Sequence, residues 1–119
     1  MNKVNESFPR REGLRGKKNF ERVYRYGSVY QTRYLVLFCL REDVEGRRAA
    51  FVTSRKLGKA VTRNRIRRRL REAYRRIKAN LPDNIYLVFV ARKGIAELEW
   101  EGLLGEMRAL LAKAGLGQH

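Results

Sequence analysis

The stretch "TRNRIRRRLREAYRRIK", residues 62–78, decides how this chain folds and what it meets. Nine of its residues are basic: Arg63, Arg65, Arg67, Arg68, Arg69, Arg71, Arg75, Arg76 and Lys78; Glu72 is its one acid. Ile66, Leu70, Ala73, Tyr74 and Ile77 follow one another by four, three, one and three positions. That spacing predicts an amphipathic helix over roughly 62–79, with one apolar stripe buried and a cationic face outside. The face repels itself. Like-charged neighbours such as Arg67 with Arg71, and Arg71 with Arg75, destabilise an isolated helix by roughly 0.2–0.5 kcal/mol per pair. Arginine outnumbers lysine here eight to one, and its planar fork matches phosphate geometry. A polyanion resting on this face would offset the repulsion.

The charge is local. The 119 residues carry a formal net charge of +16. Residues 55–78 hold 12 Lys/Arg and one Glu, while the other 95 residues hold 16 Lys/Arg and 11 Asp/Glu. Such a patch favours nucleic acid as the partner, with an anionic membrane surface second. For DNA, a helix-turn-helix pair, zinc-ligand spacing or heptads after the basic region would be expected, and none is present. RNA, gripped by shape and phosphate, fits better.

Around the basic helix the chain reads as one α+β domain, residues 1–119, with residues 1–16 an extended basic arm. "KKNFERVYRYG", residues 17–27, predicts a short helix with Phe20, Val23 and Tyr24 on one face and Gly27 past its end. "YLVLFCLR" (34–41) and "AAFVTS" (49–54) predict two strands, paired as an antiparallel hairpin across the polar break 42–46. A weaker strand is expected around 28–32. "IYLVFVAR" (85–92) is nearly continuously apolar, which predicts a central strand. A last helix over about 97–114 has Trp100, Leu103, Leu104, Met107, Leu110 and Leu111 as its buried stripe. The order is α-β-β-(β)-α-β-α, a two-layer α/β sandwich.

Groups for protein catalysis are sparse. His119 is the one histidine and the last residue, and Cys39 sits within an apolar strand and is expected in the core. The acids lack metal-ligand spacing and no phosphate-binding glycine loop is present, so neither catalytic nor metal-ligating residues are expected. One cysteine excludes an internal disulfide and suits the cytoplasm. The longest apolar run, "YLVLFCL", is far short of a membrane span, and the N-terminus has no secretory apolar region. Phe20, Tyr24 and Phe38 fit either a core or an exposed surface on which bases stack.

"SRKLGKAVTRNRIRRRLREAYR", residues 54–75, resembles the signature of the bacterial ribonuclease P protein component. Arg63, Asn64, Arg65, Arg68 and Arg71 match its Arg-Asn-Arg core and following basic positions. Ser54, Arg55, Lys56, Gly58, Ala60 and Val61 match the segment before it. "LRGKKNFERVYRYG" and "NIYLVFVARKG" extend the resemblance to residues 10–112. The resemblance implies a protein subunit of a ribonucleoprotein that removes the 5′ leader of precursor tRNA by endonucleolytic cleavage. The RNA subunit is the catalyst in that family and uses Mg²⁺. Lys56, Arg63, Asn64, Arg65, Arg67, Arg68 and Arg71 would then bind the RNA subunit, and Phe20, Tyr24 and Phe38 would line the leader cleft. Tyr24 and Phe38 invert the family's frequent Phe and Tyr at these places and keep a ring at each. The resemblance also implies a left-handed β-α-β crossover, against the usual right-handed preference. The alternative is a non-enzymatic RNA-binding or ribosome-associated module.

Overall fold

In the computed structural model, which describes residue 8 and residues 10–116, the most apolar strand lies inside the sheet. This is β4, Ile85–Ala91. It pairs antiparallel with β2, Leu35–Leu40, and parallel with β3, Arg47–Val52. β1, Ser28–Gln31, adds to the outer edge of β2, giving the order β1-β2-β4-β3. The antiparallel hairpin expected between residues 34–41 and 49–54 therefore does not form. A strand apolar on both sides is best buried between two others, so β4 separates β2 from β3. The chain passes from β3 to β4 through the basic helix α2, Ala60–Ile77, which makes a parallel β-α-β unit.

Strand alternation gives the sheet two different faces. Leu35, Leu37, Cys39, Phe51, Leu87 and Phe89 point to the side covered by α2 and by α3, Trp100–Lys113. All five residues of the predicted α2 stripe are buried. The rings of Phe51, Tyr74 and Phe89 meet there at centroid distances of 5.6 to 5.9 Å. The opposite face is crossed by α1, Lys17–Tyr26, whose Val23 is fully buried among Leu40, Tyr86 and Val88. At the end of α1, a Cβ on Gly27 would lie 2.5 Å from the Val23 carbonyl oxygen and 2.9 Å from that of Cys39. Glycine there lets the chain turn directly into β1.

The segment read as an extended arm is packed from Arg10 onward. Arg10–Glu12 form a 3-10 turn, and Gly13 pairs parallel with Ala49 on the free edge of β3. The Leu14 N–H donates to the Ala49 carbonyl at 2.9 Å, and the Leu14 side chain is buried. This strap covers an edge strand that would otherwise present unpaired backbone groups. Lys78, with no exposed surface, donates to Glu12 Oε1 at 2.7 Å and ties the strap to the end of α2. Phe8 lies edge-on to Phe51 and Tyr74, each at 5.8 Å. The remainder of the arm, residues 1–7 and 9, lies outside the described residues. Among the described residues, no helix is long and apolar enough to cross a membrane.

Candidate nucleic-acid interface

α2 presents its first three turns as the cationic surface. A 3-10 turn, Arg55–Leu57, and Gly58 lead into it, with Lys59 at the N-cap. The partial positive charge of a helix N-terminus adds to the side-chain cations gathered there. Lys56, Asn64, Arg65, Arg68 and Arg71 are exposed, and Arg63 and Arg67 are half-buried. Their engagements differ. Arg67 donates from Nη1 to Thr53 Oγ1 and from Nη2 to Asn64 Oδ1, so its fork is turned inward. The Arg71 guanidinium stands 6.0 Å from the Phe8 ring centroid. The Arg63 Nε is buried with no hydrogen-bond partner among the described residues. Lys56, Arg65 and Arg68 have no side-chain hydrogen bond or ion pair among the described residues and face solvent.

The later turns differ. Arg75 pairs with Glu72, and Arg76 lies 3.8 Å from the same carboxylate and 5.5 Å from the Trp100 ring centroid. Arg69 Nη2 donates to the Leu98 carbonyl at 2.7 Å. Charge that looks uniform in the sequence is thus open at one end of the helix and engaged along the rest.

The three aromatic candidates come together on the other side of the sheet. Phe20 and Tyr24, one turn apart on α1, have ring centroids 6.2 Å apart, and Tyr24 meets Phe38 of β2 at 4.8 Å with the rings at 87°. Tyr24 is 42% exposed, while Phe20 and Phe38 are half-buried. Partial burial raises the Tyr24 hydroxyl pKa above its ordinary value, which keeps the ring uncharged near neutral pH. The register extends the surface. Phe38 stands opposite Val29 and Val88, and Val36 opposite Val90, which stands opposite Val52. Val36, Val52 and Val90 are half-buried and Val29 is exposed, so an apolar trough runs beside α1. Reading from the sequence missed these valines. Strand alternation carries the signal, but only the strand order assigns them to one face.

The trough and the cationic helix meet at the end of β3. Val52 belongs to the trough, and the next residue, Thr53, holds Arg67. Cys39 is buried, and burial pushes its thiol up to about 11, far from a thiolate nucleophile near neutral pH. His119 lies outside the described residues. Among the described residues, no group of three or more His, Cys, Asp and Glu is placed to hold a metal ion.

A cationic helix beside a sheet that carries a half-open aromatic face on its other side has the make-up of a nucleic-acid-binding module on an α+β scaffold. The family model described as Ribonuclease P matches residues 8–115. The ribonuclease P protein component of Natranaerobius thermophilus is 40% identical over 104 residues, covering 86% of this chain and 90% of that protein. That of Caldanaerobacter subterraneus is 36% identical over 103 residues, covering 87% and 89%. The RNase P protein of Staphylococcus aureus superimposes with a TM-score of 0.80 at 22% identity, over 90% of this chain and 98% of the other, a likeness of fold. The RNase P protein of Thermotoga maritima gives 0.76 at 27% identity, over 86% and 96%. The chain belongs to the ribonuclease P protein component family. Members are the protein subunit of that enzyme, and their partner is an RNA subunit.

Proposed function

We propose that this chain grips the ribonuclease P RNA with the open turns of α2, and holds the 5′ leader of precursor tRNA in the trough. The observation that carries this reading is that one small domain presents solvent-facing Lys56, Arg65 and Arg68 at the start of α2 and the half-open rings of Phe20, Tyr24 and Phe38 on the opposite face of the sheet. Cations without internal partners suit a phosphate chain. Rings left half-open suit unpaired bases, each stack contributing about 1–3 kcal/mol. Arg63 and Asn64 stand beside them, and Arg71 extends the grip by a further turn. Arg67, held by Thr53, fixes the orientation of Asn64.

Hydrolysis of the leader belongs to the RNA subunit in this reading, as does the Mg²⁺ it uses. The open face of α2 offers guanidinium groups, an ammonium group and one amide, and its single carboxylate, Glu72, is paired with Arg75. These groups do not fit a divalent cation. The chain's own contribution is to neutralise phosphates and fix the leader, and its place of work is the cytoplasm. Family membership disfavours a ribosome-associated module.

The test is cleavage of a 5′-extended precursor tRNA at low Mg²⁺, with ribonuclease P RNA alone, protein alone, and both. Cleavage should require both. No gain on adding the protein would refute the proposal, and cleavage by the protein alone would reveal a catalytic site in the chain.

A further inference from the structure

A second group of arginines sits at the far end of the molecule. α2 has 18 residues, so at 1.5 Å rise per residue its C-terminal end lies about 27 Å from its first residue and about 14 Å beyond Arg68. There Arg47 Nη1 donates to the carbonyls of Lys78 at 3.1 Å and Leu81 at 3.4 Å. Arg48 Nη1 donates to the Arg11 carbonyl at 2.8 Å. The Gly46 N–H is held by Asn84 Oδ1 at 2.8 Å. These bonds fix the beginning of β3 against the N-terminal strap on one side and the 78–84 turn on the other. Between them is a cavity of about 220 Å³ lined by Arg11, Glu12, Gly46, Arg47, Arg48 and Asp83.

The charges around this cavity are unequal. Glu12 is already matched by buried Lys78. That leaves three arginines against one exposed carboxylate, Asp83. The arginines are also incompletely used. The structural bonds of Arg47 and Arg48 run through Nη1, and Arg47 Nε is buried with no hydrogen-bond partner among the described residues. A desolvated, unpaired guanidinium N–H is costly. An oxyanion in the cavity would meet the exposed Arg11 guanidinium, which has no side-chain hydrogen bond or ion pair among the described residues, and the forks of Arg47 and Arg48, already oriented by their Nη1 bonds.

We propose that this corner is a phosphate-binding site, separate from the open face of α2, and that its occupant is a phosphodiester of the RNA partner. The phosphate chemistry rests on the cavity alone; RNA as the source rests on the function proposed above.

The test uses the full chain. Arg11→Gln is the first variant, because the exposed Arg11 contributes its backbone carbonyl, not its side chain, to the Arg48 anchor. Arg48→Lys is the second. Arg65→Ala/Arg68→Ala is the control for the other surface. Thermal melts compare inorganic phosphate with chloride at equal ionic strength. Phosphate should raise the wild-type Tm above chloride, the α2 control should keep at least half of that rise, and Arg11→Gln and Arg48→Lys should lose most of it. Binding to ribonuclease P RNA should lose about one unit of log–log salt slope in Arg11→Gln. No rise in wild type, or an undiminished rise in both variants, would overturn the site. A lost rise with an unchanged RNA slope would overturn RNA as the occupant and leave a site for free phosphate. Failure of wild type to bind the RNA at all would sink the proposed function, while the phosphate melts would still decide the site.

Discussion

The two ends of α2 are built from the same residues and do opposite things. At the N-terminal end Arg65 and Arg68 reach into solvent with no internal partner among the described residues. At the C-terminal end Arg75 and Arg76 share Glu72, and Lys78 is buried against Glu12. An arginine or lysine with a carboxylate inside its own fold is structural. The same residue with no acceptor of any kind inside the fold carries its charge out to solvent. The difference lies in where the internal acceptors sit rather than in the basic residues, and it divides a helix that looks uniformly cationic into an open end and an anchored end.

The largest effect expected from breaking this division is at the anchor. Lys78→Met leaves Glu12 as a carboxylate without its partner, and removal of one member of a buried pair costs about 3–5 kcal/mol. Urea denaturation should show a loss of that order, and Lys78→Met/Glu12→Leu should recover most of it because an apolar pair of similar volume is tolerated there. A loss below about 1 kcal/mol in the single variant would mean that Glu12 rehydrates freely and that the strap is not anchored by this pair.

A smaller effect is expected in the trough, measured as binding. Phe20→Ala removes one half-open ring, and a base stack is worth about 1–3 kcal/mol. Affinity of the assembled enzyme for precursor tRNA should fall by roughly tenfold, with little change for mature tRNA, which has no leader. Equal losses on both substrates, or a large drop in the protein's own stability, would return Phe20 to the core.

The grip itself should respond more weakly at each position. Arg65→Ala or Arg68→Ala should lower the slope of log affinity against log salt by about one unit for each phosphate that is no longer neutralised. Folding stability should change by no more than about 0.5 kcal/mol, as for exposed surface positions. An unchanged slope in both variants would take phosphate away from this end of the helix and remove the contrast between the two ends.

What the sequence made legible, and what it did not, follows from the range of the interactions involved. The α2 stripe of Ile66, Leu70, Ala73, Tyr74 and Ile77 was readable because helical spacing is local, and all five residues are buried. The place of β4 was readable from its apolar run. Pairing of β2 with β3 was misread, because adjacency in the chain favours a hairpin and only the competition for a central position favours β4. The strap was missed for the same reason: Leu14 meets Ala49, and Glu12 meets Lys78, across separations that no local pattern records. At the site, Phe20 and Tyr24 were legible as a helical pair, whereas Val29, Val36, Val52 and Val90 join the trough only through strand order. Arg67 looked equivalent to its neighbours until Thr53 was placed beside it.

The smallest expected effect tests the division most sharply. Glu72→Gln removes the carboxylate shared by Arg75 and Arg76 while keeping the side chain's size. Both acid and arginines are substantially exposed, so the pair contributes within about 0.5 kcal/mol and stability should barely move. The informative reading is RNA affinity and its salt slope. If phosphate is gripped at the N-terminal end alone, loosening Arg76, about two turns beyond Arg68, should leave the slope unchanged. A slope steeper by about one unit would show that Glu72 had been holding Arg76 away from the RNA. The two ends of α2 would then differ by one acid and not by position, and a single substitution would convert anchor into grip.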